Sequence, residues 1–422
     1  MTTNKVWVIE PRDPFIARDG KPFGVGVSAA TLPFPYPSTT TGGIRTRAGL
    51  SSGGSFIDAN GKPDQILISK VRSIETKGAL LVELNGDNEI EDWLMPAPAD
   101  ALLLEHQSDH HKARVKRLVP LNIGDGITNL KQDPHGSDNL APVGLSEFDP
   151  HKPFQKAPRF WRWCNYEKWL LEPDNLPLAV NPKYLGHDGA IVQIRTHVAL
   201  NPETWTAQQG QLFQTRGLEF TWCGEPVLGN TSRLAMAVSV GNQPLAQSID
   251  AGLAPLGGER RTVAWRASAK QLPSECLGEI ATQVAKDRAC RVVLLTPAYF
   301  TNGSRPTWLL SKQHNVKPEL IGFANARAEV ISGWDFEHYE NTNGRVVRGQ
   351  PKPTRRLMPG GSTFFLKLTA NTDSEIRAWV EQMWMNCVSD DATNGSRDQY
   401  RHDGFALAAI GVWDGKLQDM KI

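Results

Sequence analysis

The sequence predicts an α+β protein made of two fused sandwiches, with a large insertion in the first and a β-hairpin projecting from it. Three observations carry this. The order strand, helix, strands, helix, strand recurs roughly twice along the chain. A length of 422 residues suits two to three domains, each with a buried core. Glycine (37) and proline (29) are frequent, yet below the low-complexity range, so the elements are joined by many turns and long ordered loops.

The elements follow in order. Lys5 to Ile9 is a first strand, ended by Pro11 and Pro14. Residues 20 to 37 form a loop rich in Gly and Pro. Ser38 or a following Thr caps a helix carrying Ile44, Arg45 and Arg47. Gln65 to Ile74 and Ala79 to Leu84 are predicted strands, Leu102–Leu104 and Val115–Val119 are short apolar pieces, and Trp161 to Leu171 is helical. Ile191 to Leu200 and Gln211 to Trp222 are strands, and the polar stretch Asn201 to Gly210 between them projects as a hairpin. Arg233 to Val240 is a strand. A glycine turn at Gly257-Gly258 leads into another strand that reaches Trp265. Ser274 to Asp287 is a helix with Leu277, Ile280 and Val284 on one face. Arg291 to Leu295, Phe323 to Ile331 and the run from Gly360 to Leu368 are strands. Thr372-Asp-Ser-Glu375 is a capping box that opens a helix with Ile376, Trp379, Val380, Met383 and Trp384 on one face. A glycine-led strand from Asp403 to Trp413 closes the order. The pattern is that of two ferredoxin-like, RNA-recognition-type domains. The expected division is 1–230, with an insertion at 50–190 and the hairpin at 200–211, followed by 231–422.

Composition narrows the function. Lys plus Arg (46) nearly balances Asp plus Glu (45), so a nucleic-acid ligand must be held by local patches and not by bulk charge. The cysteines Cys164, Cys223, Cys276, Cys290 and Cys387 are odd in number and include no C-x-x-C pair. A zinc ribbon or a disulfide framework is therefore not expected. The start has no apolar signal region before Glu10, and no apolar run reaches membrane-spanning length. The expected compartment is a reducing cytoplasm.

Local charge is informative. No acid occurs between Gly20 and Ile57, whereas Lys21, Arg45 and Arg47 do, beside the N–H groups of a helix start. The glycine pairs Gly42-Gly43, Gly257-Gly258 and Gly360-Gly361 let backbone N–H groups approach phosphates without side-chain clash, and Arg45, Arg260, Arg261, Arg355 and Arg356 lie beside them. No Gly-Lys-Ser/Thr follows, so none of these is a P-loop. From Arg345 to Thr372 the chain carries Arg345, Arg348, Lys352, Arg355, Arg356 and Lys367 and no acid. Pro351 and Pro353 keep that segment extended, as tracking a phosphate backbone requires. Lys112, Arg114 and Lys116 alternate on one strand face and form a second candidate patch. Trp205 is the one large aromatic of the hairpin tip and is placed to stack on or wedge against a base. His106, Asp109, His110 and His111 lack both a regular ligand spacing and a supporting cysteine, so no metal is assigned. His197 or His187 is the candidate base for an endoribonuclease, but neither has a paired acid at a recognisable spacing.

Several of these pieces, taken together and in order, carry a resemblance. Pro35-Tyr-Pro-Ser-Thr-Thr-Thr-Gly-Gly-Ile-Arg45, Arg195-Thr-His-Val, Gly210-Gln-Leu-Phe213, Leu256-Gly-Gly-Glu-Arg-Arg261, Ile331-Ser-Gly-Trp-Asp335, the run Pro351 to Ser362 and the run Gly404 to Trp413 occur in one order, and the likeness they carry covers the chain from about residue 5 to 413. The sequence resembles the third-numbered subunits of the Cmr complex, the type III-B CRISPR effector, which belong to the RAMP (repeat-associated) RNA-binding superfamily. One position departs from that pattern: the terminal loop, usually Gly-aromatic-Gly, reads Gly404-Phe405-Ala406.

The resemblance implies two fused ferredoxin-like domains and no catalysis or cofactor. It implies binding of the 5′ repeat-derived tag of CRISPR RNA, docking on the large polymerase-like subunit and on a backbone RAMP subunit, and no membrane partner. Its hairpin, or thumb, separates tag from guide. The RNA-binding residues it points to are Ser38, Thr39, Thr40, Gly42, Gly43, Arg45, Arg195, His197, Trp205, Gly257, Gly258, Arg260, Arg261, Lys352, Arg355, Arg356, Gly360, Gly361 and Gly404. Two alternatives stay open: a metal-independent endoribonuclease that processes the precursor, and the equivalent subunit of a Csm-type or type III-D complex.

Overall fold

The computed structural model describes residues 4–18, 31–107, 109, 111–124, 140–175, 179–220, 233–342, 345–391 and 398–421. Lys21, His110, Trp222 and Cys223 lie outside them. The chain forms two units, each assembled from three separated segments: 1–91, 189–270 and 330–356 in the first, and 92–188, 271–329 and 357–422 in the second. The sequence division at 230/231 falls inside the first unit.

In the first unit Lys5–Pro11 is an interior strand. Its Val-Trp-Val-Ile core pairs antiparallel with Arg233–Val240 on one side and Arg261–Ser268 on the other, so that Val8 faces Ala237 and Arg266. Thr76–Leu84 continues the sheet beyond Arg233–Val240, and Gly252–Leu256 continues it beyond Arg261–Ser268. Thr76–Leu84 is thus a strand of the main sheet, although the sequence reading placed it within an insertion. Numbered along the chain, the four central strands lie in the order fourth, first, third, second.

Helix Pro37–Ser51 packs beside this sheet. A Cβ on Gly43 would meet Leu256 at 2.5 Å and Trp265 at 3.3 Å, so glycine permits the close approach. The cap is Tyr36, with Pro37 at the first helical position. Ser38 therefore lies inside the helix and does not cap it. The expected strand Gln65 to Ile74 is instead helix Gln65–Arg72. Its short apolar run, Ile66 to Ile68 with Val71, permits either structure, and Asp64 decides by accepting hydrogen bonds from the Ile66 and Leu67 N–H groups at 3.0 and 3.1 Å.

The second unit holds a five-stranded antiparallel sheet in the order Lys317–Ala324, Thr363–Thr369, Ala289–Leu294, Leu407–Val412, Asn386–Cys387. Read from the Leu407–Val412 side, these first four strands show the same fourth, first, third, second order. Helices Leu277–Asp287 and Asp373–Met383 pack together beside it. The predicted capping box is present: Thr372 accepts from the Glu375 N–H, and Glu375 reaches back to the Thr372 N–H. The expected strand Phe323 to Ile331 is divided into Lys317–Ala324 and Glu329–Ile331.

A buried ion pair lies at the centre of this unit. Arg291 and Asp100 are both fully buried and joined to each other. Asp100 also accepts from Trp169 Nε1 at 3.1 Å and from the Thr363 hydroxyl at 3.2 Å, while Arg291 donates to the Trp169 and Val412 carbonyls. All three segments of the unit contribute to this cluster. Among the described residues no helix is long and apolar enough to cross a membrane.

Candidate nucleic-acid interface

The hairpin is the clearest feature of the first unit. Ile191–Leu200 and Ala207–Glu219 form a two-stranded sheet of their own. Because paired residues share a face, Arg195 lies opposite Thr215 and His197 opposite Phe213, whereas Ile194 lies opposite Arg216 and Val198 opposite Leu212. One face therefore carries Arg195, His197, Thr215 and Phe213, and the other is largely aliphatic with Arg216 among its residues. Arg195 is exposed and its Nε donates to Gln193 Oε1 at 3.1 Å. The His197 ring stacks on Phe213 with centroids 5.3 Å apart, and its Nε2 meets the Thr215 hydroxyl at 2.8 Å. Trp205 sits in the turn at φ +56° and is 78% exposed, so it extends from the tip and does not fold back on its own strands.

The glycine turns behave differently from one another. Gly42 is exposed with open space about its Cα, whereas Gly43 is closed by Leu256 and Trp265. Ser38 is exposed, Thr39 half-buried, and the Thr40 hydroxyl donates to the Pro37 carbonyl at 3.0 Å. Arg45 does not point into solvent. It is half-buried and donates to the Arg72 and Ile74 carbonyls at 3.2 and 3.0 Å, closing the end of helix Gln65–Arg72. Gly257, at φ +75°, packs on the Phe15 ring, and the Gly258 N–H donates to the Ile16 carbonyl at 2.9 Å. At this turn Arg260 is exposed, while Arg261 is held by Glu259 at 2.7 Å.

The basic window begins as one arm of a second hairpin, Trp334–Thr342 with Arg345–Pro351, and is paired there instead of running free. Beyond it Lys352 lies over Gly333, Arg355 is half-buried and Arg356 is exposed. The sequence reading missed this hairpin's outward row: Trp334 is partly exposed and Phe336 is 80% exposed. The period-two pattern of Trp334-Asp-Phe-Glu-His-Tyr339 was the available signal.

Gly360, Gly361 and Gly404 belong to the second unit. The Gly361 N–H donates to the Leu294 carbonyl at 2.6 Å, and a Cβ there would lie 2.2 Å from the Ala97 carbonyl oxygen. Gly404, at φ +87°, gives its carbonyl to the Thr296 hydroxyl. Ala406 takes the left-handed φ of +55° at the position where the resembled pattern has glycine, and its N–H is bound to Pro297. In the other candidate patch, Arg114 is bound to Asp149 at 2.6 Å beside His151, and Lys112 lies 3.4 Å from Asp109.

Comparison with known proteins gives the frame for these residues. No curated protein matches the sequence. Solved structures similar to the chain include the following two. A chain of the type III-B Cmr-beta complex bound to cognate target RNA and AMPPnP matches at 13% identity, with a TM-score of 0.41 over 90% of this chain and 88% of that one. A chain of the complex bound to cognate target RNA matches at 12% identity, with a TM-score of 0.43 and the same coverage. The family described as CRISPR-associated protein (Cas_Cmr3) matches residues 7–413, nearly the whole sequence and every element described above except the outermost residues, and the chain belongs to that family.

Proposed function

We propose that the chain is a non-catalytic subunit of a type III-B CRISPR effector complex, holding the 5′ repeat-derived tag of CRISPR RNA and docking on the large polymerase-like subunit and a backbone RAMP subunit. The observation that carries this reading is the family match over residues 7–413. The geometry supports it. The hairpin presents Arg195, His197 and the stacked Phe213 on one face and Trp205 at its tip, a combination suited to unpaired bases and phosphates. Arg260 and Arg356 are exposed cations, and the Trp334 and Phe336 row adds stacking surface near the basic arm. The two sheets share one strand order, with a helix between first and second strands in one unit and between third and fourth in the other, which supports two ferredoxin-like domains.

In this reading Trp205 marks the tag–guide boundary. Ser38 to Gly43, Gly257 to Arg261 and Lys352 to Arg356 track the tag, with Gly43, Gly257 and Gly258 acting as packing glycines that set the course of the backbone. Arg45, Gly360, Gly361 and Gly404 act as supports. His197 faces a hydroxyl and an aromatic ring, an arrangement that orients an imidazole without supplying the second acid–base group a nuclease needs.

The test is tag-RNA binding by the purified chain across a salt series, together with sequencing of the RNA that co-purifies from the native host. Wild type should bind RNA with a constant 5′ repeat fragment. Joint replacement of Arg260 and Arg261 by alanine should weaken binding and flatten the salt slope while the melting temperature holds. A wild-type chain that binds no tag RNA, or that cuts precursor RNA unaided, would overturn the reading.

A further inference from the structure

Three arginines from distant parts of the first unit converge on one carboxylate. Glu10, at the end of the first strand, is 1% exposed. It accepts from Arg266 Nη1 at 2.6 Å and from Arg233, and Arg12 Nη2 lies 3.6 Å away. Arg233 also donates to the Asn88 side chain, and Arg266 donates to the Asn88 carbonyl at 3.3 Å. Among the described residues Glu10 is the only carboxylate within 4.0 Å of any of the three. The side chains remain open to solvent: Arg12 is 50% exposed, Arg233 32% and Arg266 29%.

This is an unbalanced arrangement. One buried negative charge offsets one of three guanidinium charges, and the remaining two are held close together. Repulsion of this kind is relieved by an external anion. Glu10 and Asn88 fix the planes of Arg233 and Arg266, so little ordering is needed when an anion arrives. Guanidinium donors in a fixed fork match the tetrahedral oxygens of phosphate.

We propose that Arg12, Arg233 and Arg266, positioned by Glu10 and Asn88, form a phosphate-binding site whose occupant is a backbone phosphate of single-stranded RNA. The choice of RNA rests on the proposed function. The phosphate chemistry rests on the cluster alone.

The test uses the full-length chain and Arg12→Gln, because Arg12 is the most exposed of the three and Glu10 keeps its other two partners without it. With tag RNA as probe, R12Q should bind several-fold more weakly, and the slope of log K against log salt should fall by about 0.7, one single-strand phosphate contact, at an unchanged melting temperature. An unchanged affinity and slope in R12Q, with wild type binding normally, overturns the site. A second arm titrates inorganic phosphate against melting temperature. If wild type binds no tag RNA, the proposed function fails and this arm decides. Phosphate stabilisation present in wild type and lost in R12Q upholds the anion site with free phosphate as its source, and equal curves overturn it.

Discussion

At the scale of single residues, the Glu10 carboxyl shows how burial and charge compete. Burial alone would raise its pKa, but hydrogen bonds from Arg266 and Arg233 outweigh that and hold it below its ordinary value of 4.5. A depressed carboxyl stabilises the fold above its unfolded pKa, and that contribution is lost as pH falls through the folded value. We expect wild type to lose stability below about pH 4.5, whereas Glu10→Gln lacks this acid-limb component and is already weaker at pH 7 by about 2–3 kcal/mol. Urea unfolding from pH 3 to 7 checks both. A parallel pair of curves would show that Glu10 makes no special contribution. Gly361 is the steric counterpart. With φ at +88° and the Ala97 oxygen 2.2 Å from any Cβ, Gly361→Ala should cost more than about 1 kcal/mol, read as a lowered urea midpoint at constant slope.

At the scale of elements, the 191–219 hairpin stands apart from the sheets. Among the described residues it pairs only with itself apart from a bridge between Leu218 and Phe15, and its outer residues are exposed on both faces. Replacing residues 197–213 by a two-residue Asn-Gly turn should leave the melting temperature nearly unchanged, while changing where bound guide RNA is protected from nuclease. A large drop in melting temperature would make the hairpin structural. The elements also show what the sequence could reveal. The hairpin, the capping box at Thr372 and the strand pattern of Lys5 to Ile9 were legible because each depends on neighbours within a few residues. The helix at Gln65–Arg72 was misread because its apolar spacing is ambiguous and one cap, Asp64, decides it. The fate of Arg45 was not legible at all. Its hydrogen-bond acceptors are carbonyls 27 and 29 residues away, and no local pattern reports that. The same holds for the Glu10 cluster, whose arginines come from two strands, Arg233–Val240 and Arg261–Ser268, and from the bend just after Lys5–Pro11.

At the scale of the whole molecule, the chain's near-neutral charge conceals strong local asymmetry, and each unit depends on segments far apart in sequence. The Arg291–Asp100 pair binds all three segments of the second unit. Asp100→Ala leaves a fully buried guanidinium without its counter-ion, which should cost about 3–5 kcal/mol and lower the thermal midpoint accordingly. In the first unit, a fragment that ends at residue 230 leaves Lys5–Pro11 without either hydrogen-bonded neighbour. We expect such a fragment to show no slow amide exchange in residues 5 to 11. Native-like protection there would mean that the strand finds another partner.

The interior position of that first strand has a consequence for synthesis. Val6 to Ile9 leaves the ribosome before either of its partners, the nearer of which, Arg233–Val240, follows roughly 220 residues later. At about 5–20 residues per second the unpaired strand waits on the order of 10–40 s. During that interval a Val-Trp-Val-Ile segment with both edges open is free to pair with the same segment on a neighbouring nascent chain. The yield of this subunit should therefore respond to translation speed and chaperone supply more than its finished stability would suggest.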